Sequence, residues 1–269
     1  EKVAKELRNW VEEYANVGLG EAYLLMAVED ATHYDSAIKH FGIAKKANPK
    51  SIELQAILTG TANAELAKGN ASGALRAADE LVAAGKSARN ADWELAGLKL
   101  KASIQLSEGN HADAARSYDS IVRMVTSALG AEDDPKRKRE LERAQVEAGA
   151  AQGWVMMEQA LASKSQADFD AARGYFTQLP AKFRNRPEAL AAKTNAMGVI
   201  KLAAGDAEGA RREFVDAEVR YFGVADEVAR SLYYQAARLG TLGRATERSE
   251  RLRELNAHYP RSAWPGTLK

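Results

Sequence analysis

Apolar residues recur along most of the chain at spacings of three and four, the period of an α-helix with one buried face. The best-marked segments carry a small residue, a large apolar residue four positions later and an apolar residue three positions after that, as in Ala37, Phe41 and Ala44. These steps place all three on one helix face. The longest predicted helix covers about residues 136 to 162, after the helix-start signal Asp134-Pro135.

The turn that precedes such a helix repeats along the chain. Gly69-Asn70, Gly109-Asn110 and Gly205-Asp206 each precede an anchor alanine, and glycine followed by Asn or Asp suits a helix end followed by a cap. The anchor residues lie 37, 40, 58, 38 and 38 residues apart, in the order Ala37, Ala74, Ala114, Ala172, Ala210 and Arg248. A near-constant period in this range predicts stacked helix pairs, because one pair cannot bury its apolar face alone.

This unit resembles the tetratricopeptide repeat, a helix-turn-helix of 34 residues. Ala37, Phe41, Ala44 and Pro49 match the second-helix pattern of that family, and a second full match is Gly205, Asp206, Ala210, Phe214 and Ala217, with Gly198 at the small position of the first helix. The usual Trp and Tyr of the first helix are mostly replaced here, and the period is longer. The resemblance implies an all-α, right-handed α-solenoid of about six degenerate repeats, built from stacked antiparallel helix pairs.

The repeats predict three segments. Residues 1–17 form an amphipathic capping helix with the apolar stripe Val3, Leu7, Trp10, Val11 and Tyr14, or the second helix of a truncated repeat. Residues 18–130 hold repeats 1–3, and residues 131–269 hold an insertion with the long helix, repeats 4–6 and a C-terminal cap. The longest gap, around residue 131, is the expected break if the solenoid consists of two sub-arrays rather than one continuous array.

Composition narrows the class of protein. The chain of 269 residues contains 53 alanines, the strongest helix formers, and no Cys, which excludes disulfides and thiolate metal sites. A net charge of +1 argues against a nucleic-acid partner, and no apolar run reaches the length of a membrane span. The first residue is Glu1 rather than Met, so we expect a processed or trimmed chain.

Residue patterns for catalysis are missing from the sequence. It has no glycine-rich phosphate loop, no paired histidines at zinc-binding spacing and no nucleophile elbow. We therefore expect a non-enzymatic protein without a metal or another cofactor.

The resemblance implies a binding surface, because first helices in this family line a concave groove for peptides or partner helices. Asn63 and Lys99 lie in neighbouring repeats and suit a carboxylate and its peptide backbone. Trp154 either contacts a partner or packs within the long helix pair, and the Arg230-Tyr233 cluster has the same two interpretations. The candidate groove residues are Met26, Asn63, Lys99, Ser103, Trp154, Met157, Asn195, Arg230 and Tyr233.

The leading hypothesis is a scaffold that binds a peptide or partner protein in the groove, as an adaptor or assembly factor. The alternatives are a self-assembling, homo-oligomeric array and a regulatory repeat domain of a larger enzyme. The end of the chain, from His258 to Pro265, resembles the closing segment of bacterial envelope tetratricopeptide proteins, and Trp264 is expected to fold back as a cap. This match and the alanine content favour a bacterial protein of the cell envelope or periplasm over a cytoplasmic one.

Overall fold

The computed structural model describes residues 2–259, which contain twelve α-helices and no strand. The prediction of an all-α protein is therefore confirmed. The helices, α1 to α12 in chain order, are Lys2–Met26, His33–Ala47, Leu54–Ala67, Ala71–Ala88, Ala91–Ser107, His111–Ala131, Pro135–Ser163, Gln166–Lys182, Pro187–Ala203, Ala207–Arg220, Ala225–Thr241 and Ala245–His258.

The helices form consecutive pairs within two compact units. Unit 1 ends at Ala128 and unit 2 begins at Leu129, close to the predicted break at residue 131. We call the odd-numbered helices first helices and the even-numbered helices second helices. In unit 1, α1 packs on α2, α3 packs on α4, and α3 also contacts the first helices α1 and α5. In unit 2, α9 contacts the first helices α7 and α11 as well as α8 and α10.

The predicted glycine turns join first to second helices. Gly69, Gly109, Gly205 and Gly243 have φ values of +78°, +71°, +83° and +70°, a conformation that glycine adopts without the steric cost of a Cβ. The residue after the glycine caps the next helix in the best-formed turns. The Asn70 side chain accepts a hydrogen bond from the Gly73 amide at 3.1 Å, and Asp206 Oδ1 accepts one from the Gly209 amide at 2.8 Å.

The second helices bury the predicted anchor positions. All five anchor alanines are completely buried, and so are the aromatic residues Phe176 and Phe214, while Phe41 is nearly so. First helices approach these rings through glycine. A Cβ on Gly198 would lie 2.5 Å from Phe214 Cε1, and a Cβ on Gly153 would lie 2.7 Å from Phe176 Cζ. Small residues on first helices thus provide room for the aromatic residue of the same pair, as the repeat pattern predicts.

The first helix differs from the prediction. α1 is continuous from Lys2 to Met26, so the expected boundary after residue 17 falls inside it, and α1 is the first helix of the first pair. Gly20 does not end α1, because it provides room for a ring: a Cβ there would lie 2.6 Å from Phe41 Cε1. Its inner face carries Glu13 and Val17, which are buried, whereas the predicted apolar stripe is exposed.

The long helix after the break is confirmed as α7. Pro135 is its first residue, and the Asp134 side chain accepts a hydrogen bond from the Lys136 amide at 3.0 Å. Within residues 2–259 no helix combines the length and apolar composition that a membrane crossing requires. The predicted cap by Trp264 lies outside the described residues.

Candidate functional site

In unit 1, four predicted groove residues are exposed on first helices. Met26 ends α1, Asn63 lies on α3, and Lys99 and Ser103 lie on α5. Because α3 contacts both α1 and α5, these residues lie on three neighbouring helices.

Residues on α3 and α5 correspond in position. Asn63 precedes the turn residue Asn70 by seven positions, and Ser103 precedes Asn110 by the same number. Thr59 and Lys99 correspond in the same way, one helical turn earlier. We call Met26, Thr59, Asn63, Lys99 and Ser103 the unit 1 face. A cleft of about 340 Å³ adjoins it, lined by Ile52, Glu53, Gln55, Ala56 and Thr59.

The chemistry of the unit 1 face suits a polar ligand with acceptor groups. The Lys99 ammonium is a pure donor, and the Asn63 amide and the Ser103 hydroxyl both donate and accept hydrogen bonds. A carboxylate and the backbone groups of a peptide segment offer complementary partners. Among the described residues, no group of three or more His, Asp or Glu side chains has an arrangement that could hold a metal ion.

In unit 2, three of the predicted groove residues are core residues. Met157 and Asn195 are completely buried and Trp154 is 4% exposed, so none of them presents an open surface. The Trp154 ring packs on Phe176 of α8, with ring centroids 5.0 Å apart. Of the two interpretations of Trp154 from the sequence, this contact agrees with packing within the long helix pair. The prediction that these three residues line an open groove is therefore corrected, because α7 carries Trp154 and Met157, and α9 carries Asn195, on faces that are packed inside unit 2.

A buried carboxylate organises this part of unit 2. Glu227 of α11 accepts hydrogen bonds from Trp154 Nε1 at 3.1 Å and, through its other oxygen, from Asn195 Nδ2 at 2.9 Å. The Asn195 amide also donates to the Glu227 carbonyl oxygen at 2.7 Å. One residue therefore ties together all three first helices of unit 2. Buried polar groups are stable in such places only when they are paired in this way.

Arg230 closes the cluster. Its guanidinium lies over the Trp154 ring, with Cζ 3.8 Å from the ring centroid, and its Nε is 3.4 Å from Glu227 Oε1. The charge of the carboxylate is thus balanced by a cation that also stacks on the indole. We call Trp154, Asn195, Glu227 and Arg230 the Glu227 cluster.

Aromatic rings extend the cluster on α11. Tyr234 stacks on Phe214 with centroids 5.9 Å apart and on Trp154 at 6.4 Å, while half-buried Tyr233 meets Tyr234 edge-on at 5.1 Å. Burial raises the pKa of Tyr234 to about 12, because the phenolate form would lose hydration. Arg230 and Tyr233 thus belong with a packed network, in agreement with the packing interpretation of this cluster.

Two buried acidic residues, Glu227 and Glu13, are not among the residues predicted from the sequence. Glu227 was not a candidate, although its place one turn before Arg230 on a predicted helix was a signal for an ion pair. Glu13 of α1 is also buried; it accepts hydrogen bonds from the Ser51 hydroxyl and, at 2.7 Å, from Asn48 Nδ2. Nothing in the local pattern around Glu13 indicates these partners, because they follow α2 in the loop before α3.

Comparisons with known proteins add little. No family model matches the chain, and no curated protein matches it. Among solved structures, it is similar to that of BtubC (BKLC) from P. vanneervenii, with 12% sequence identity over 93% of this chain and 90% of that chain, and a TM-score of 0.47. This likeness is too distant to carry any statement about fold or function to the present chain.

Proposed function

We propose that the chain is a tetratricopeptide-like scaffold that binds a segment of a partner protein across the unit 1 face. One observation carries the proposal: corresponding polar residues are exposed on the neighbouring helices α3 and α5. The corresponding place on α9 of unit 2 is occupied by buried Asn195, which is committed to Glu227, and on α11 by half-buried Tyr233, which packs on Tyr234. Ligand contact is therefore assigned to unit 1.

The unit 1 face favours an extended or helical peptide that carries a carboxylate. Lys99 provides the charge for that group, and Asn63 and Ser103 provide hydrogen bonds to backbone or polar side chains. Met26 at the end of α1 is 49% exposed and offers an adaptable apolar contact to one side of them. A polar, partly apolar surface of this type is characteristic of transient recognition rather than of an obligate interface.

The test is selection of peptides from a displayed random library on the immobilised protein, followed by affinity measurement of the selected sequences. We expect enrichment of acidic peptides whose affinity falls at least about tenfold, or about 1.4 kcal/mol, in the double variant Lys99→Glu, Asn63→Ala. The matched control is Lys39→Glu, which changes an exposed lysine on second helix α2 and should leave affinity unchanged.

Two results would contradict this function. One is the selection of peptides that bind the double variant as tightly as the wild type, which would place the site elsewhere. The other is equal loss of binding in Lys39→Glu, which would show that the interaction depends on overall charge rather than on the unit 1 face. Circular dichroism of each variant checks that helical content is unchanged.

A further inference from the structure

An apolar seam runs along the outside of α1. It consists of Val3, Leu7, Trp10, Val11 and Tyr14, whose exposed fractions are 77%, 61%, 54%, 54% and 37%. The rings of Trp10 and Tyr14 contact each other with centroids 4.8 Å apart. Single exposed apolar residues are ordinary, whereas a contiguous row of five, with two aromatic residues, marks an interaction surface.

The seam lies where no described element of unit 1 covers α1. The inner face of α1 is defined by buried Glu13 and Val17, and hydrogen bonds tie it to the loop before α3 through Glu13 and to α2 through Asn16 and His40. First helix α3 has a first-helix neighbour on each side, α1 and α5, whereas α1 has only α3. The seam is thus on the side of α1 that a further helix would cover.

The spacing of the seam indicates what that helix is. Val3, Leu7, Trp10 and Tyr14 follow one another at steps of four, three and four, the spacing by which two helices pack knobs into holes. Val11 widens the seam on one side. We propose that the seam binds the same seam of a second copy of the chain, so that two α1 helices pack antiparallel across a two-fold axis near residues 8 and 9.

Charge favours this occupant and this direction. In the sequence, residues 2–13 carry the basic residues Lys2, Lys5 and Arg8 and the acidic residues Glu6, Glu12 and Glu13, so that all three basic residues precede residue 9 and two of the three acidic residues follow it. An antiparallel pair with its axis near residues 8 and 9 places position 5, a lysine, beside position 12 of the other copy, a glutamate, whereas a parallel pair in register places each charged position beside the same charge. Residues 2–13 contain three basic and three acidic residues, so the helix has no excess positive charge to attract an anionic membrane.

The size of the seam fits a weak, reversible dimer. A large apolar side chain has about 200 Å² of surface, so the exposed fractions of the five seam residues correspond to roughly 500 Å² of exposed surface per copy. Burying this surface on both copies gives roughly 1,000 Å² for the pair. That total is at the lower limit for a specific interface, so we expect dissociation in the micromolar range. The proposal does not depend on the function assigned to the unit 1 face, because the two surfaces share no residue.

Sedimentation velocity of the full chain from about 1 to about 300 μM tests the dimer. We expect the wild type to shift from monomer to dimer, and the variant Leu7→Glu, Val11→Glu to remain monomeric at all concentrations with unchanged helical content. The control variant is Phe222→Glu. Phe222 is an apolar residue of unit 2 that is 79% exposed, about as much as Val3 of the seam, and the variant should dimerise like the wild type. A wild type that stays monomeric, or a seam variant that dimerises normally, would overturn the proposal.

Cysteine cross-linking tests the antiparallel arrangement without background, because the chain contains no cysteine. Antiparallel seams place residue 3 of one copy beside residue 14 of the other. The double variant Val3→Cys, Tyr14→Cys should therefore form a covalent dimer on mild oxidation, and neither single variant should. Cross-linking of the single variants would show parallel pairing. Binding of monomeric wild type to neutral phosphatidylcholine vesicles, lost in the Leu7→Glu, Val11→Glu variant, would instead assign the seam to a membrane surface.

Discussion

Glu227 is the residue on which the packing of unit 2 should depend most strongly. Replacing it with Leu keeps much of its volume but removes the acceptor for Trp154 Nε1 at 3.1 Å and for Asn195 Nδ2 at 2.9 Å. In the native protein, Glu227 Oε1 lies 3.4 Å from Arg230 Nε. The substitution therefore also leaves the Arg230 guanidinium, which stacks on the Trp154 indole, without a counter-ion.

The magnitude follows from these contacts. Removing one partner of a buried ion pair costs about 3–5 kcal/mol, and the Arg230 side chain is only 14% exposed, so we expect a loss of about 4 kcal/mol for Glu227→Leu. Glu227→Gln removes the same charge but keeps the shape and one neutral hydrogen bond each to Trp154 and Asn195, worth about 1 kcal/mol apiece, so it should cost about 2 kcal/mol less than Glu227→Leu. In the native protein, Asn195 Oδ1 has no hydrogen-bond donor among the described residues. If the Asn195 side-chain amide flips in the Glu227→Gln variant, this oxygen accepts a hydrogen bond from the NH₂ group of the introduced glutamine.

Arg230→Met provides the matched test of the ion pair. Alone it leaves the carboxylate buried without its cation, and we expect a cost of about 3 kcal/mol. Combined with Glu227→Leu it removes both charges, and the Met side chain still covers the indole. The double variant should therefore be at least about 2 kcal/mol more stable than the sum of the single effects predicts.

Urea unfolding followed by tryptophan fluorescence measures these differences. In a background where Trp10, Trp93 and Trp264 are replaced with Phe, Trp154 alone reports on unit 2, which separates its transition from that of unit 1. Additive effects within about 0.5 kcal/mol, or equal stability of Glu227→Leu and Glu227→Gln, would show that Glu227 and Arg230 do not form a stabilising buried pair.

Three further predictions concern unit 2. Gly198→Ala should destabilise it by about 1–3 kcal/mol in thermal unfolding, because the new Cβ would lie 2.5 Å from Phe214 Cε1. A Cβ on helical Gly174 would meet no neighbouring residue within 4 Å, so Gly174→Ala should instead stabilise by about 0.5–1 kcal/mol, and the opposite order would contradict the packing described. Asp206→Ala should cost about 1 kcal/mol in urea unfolding through loss of the α10 cap, and no change would show that the cap is dispensable. The pKa of Tyr234 is raised from 10.0 to about 12, so between pH 10 and pH 12 this tyrosine stays protonated in the folded protein but loses its proton in the unfolded chain. The free energy of unfolding should therefore fall by up to about 3 kcal/mol as the pH rises from about 10 to about 12. A Tyr234→Phe variant should lack this part of the fall, and an identical pH profile would contradict the assignment.

Much of the fold could be predicted because it depends on local pattern. The step from Ala210 to Phe214 and the preceding Gly205-Asp206 turn fix a helix start, a buried face and a close approach through Gly198. Each of these requires a residue type with a specific property, such as positive φ or absence of a Cβ, and so leaves a signal in the sequence.

The site was harder to predict, because exposure depends on which residues neighbouring helices bring together. Asn195 and Lys99 hold the same place relative to their turns, yet one is completely buried and the other exposed. Glu227, thirty-two positions after Asn195, supplies the buried acceptor that holds the Asn195 amide inside unit 2, and nothing in the sequence near Asn195 indicates this partner. The apolar stripe of α1 was recognised in the sequence, but periodicity alone does not distinguish a stripe that faces its own unit from one that faces solvent.

Partner binding on the unit 1 face is tested by site-specific photo-cross-linking. A photoreactive benzophenone amino acid replaces Asn63 or Ser103 on first helices α3 and α5, and, as the control, exposed Arg76 on second helix α4. After irradiation with a selected acidic peptide, we expect covalent adducts at positions 63 and 103 and none at position 76. Adducts at position 76 alone, or equal yields at all three positions, would contradict it.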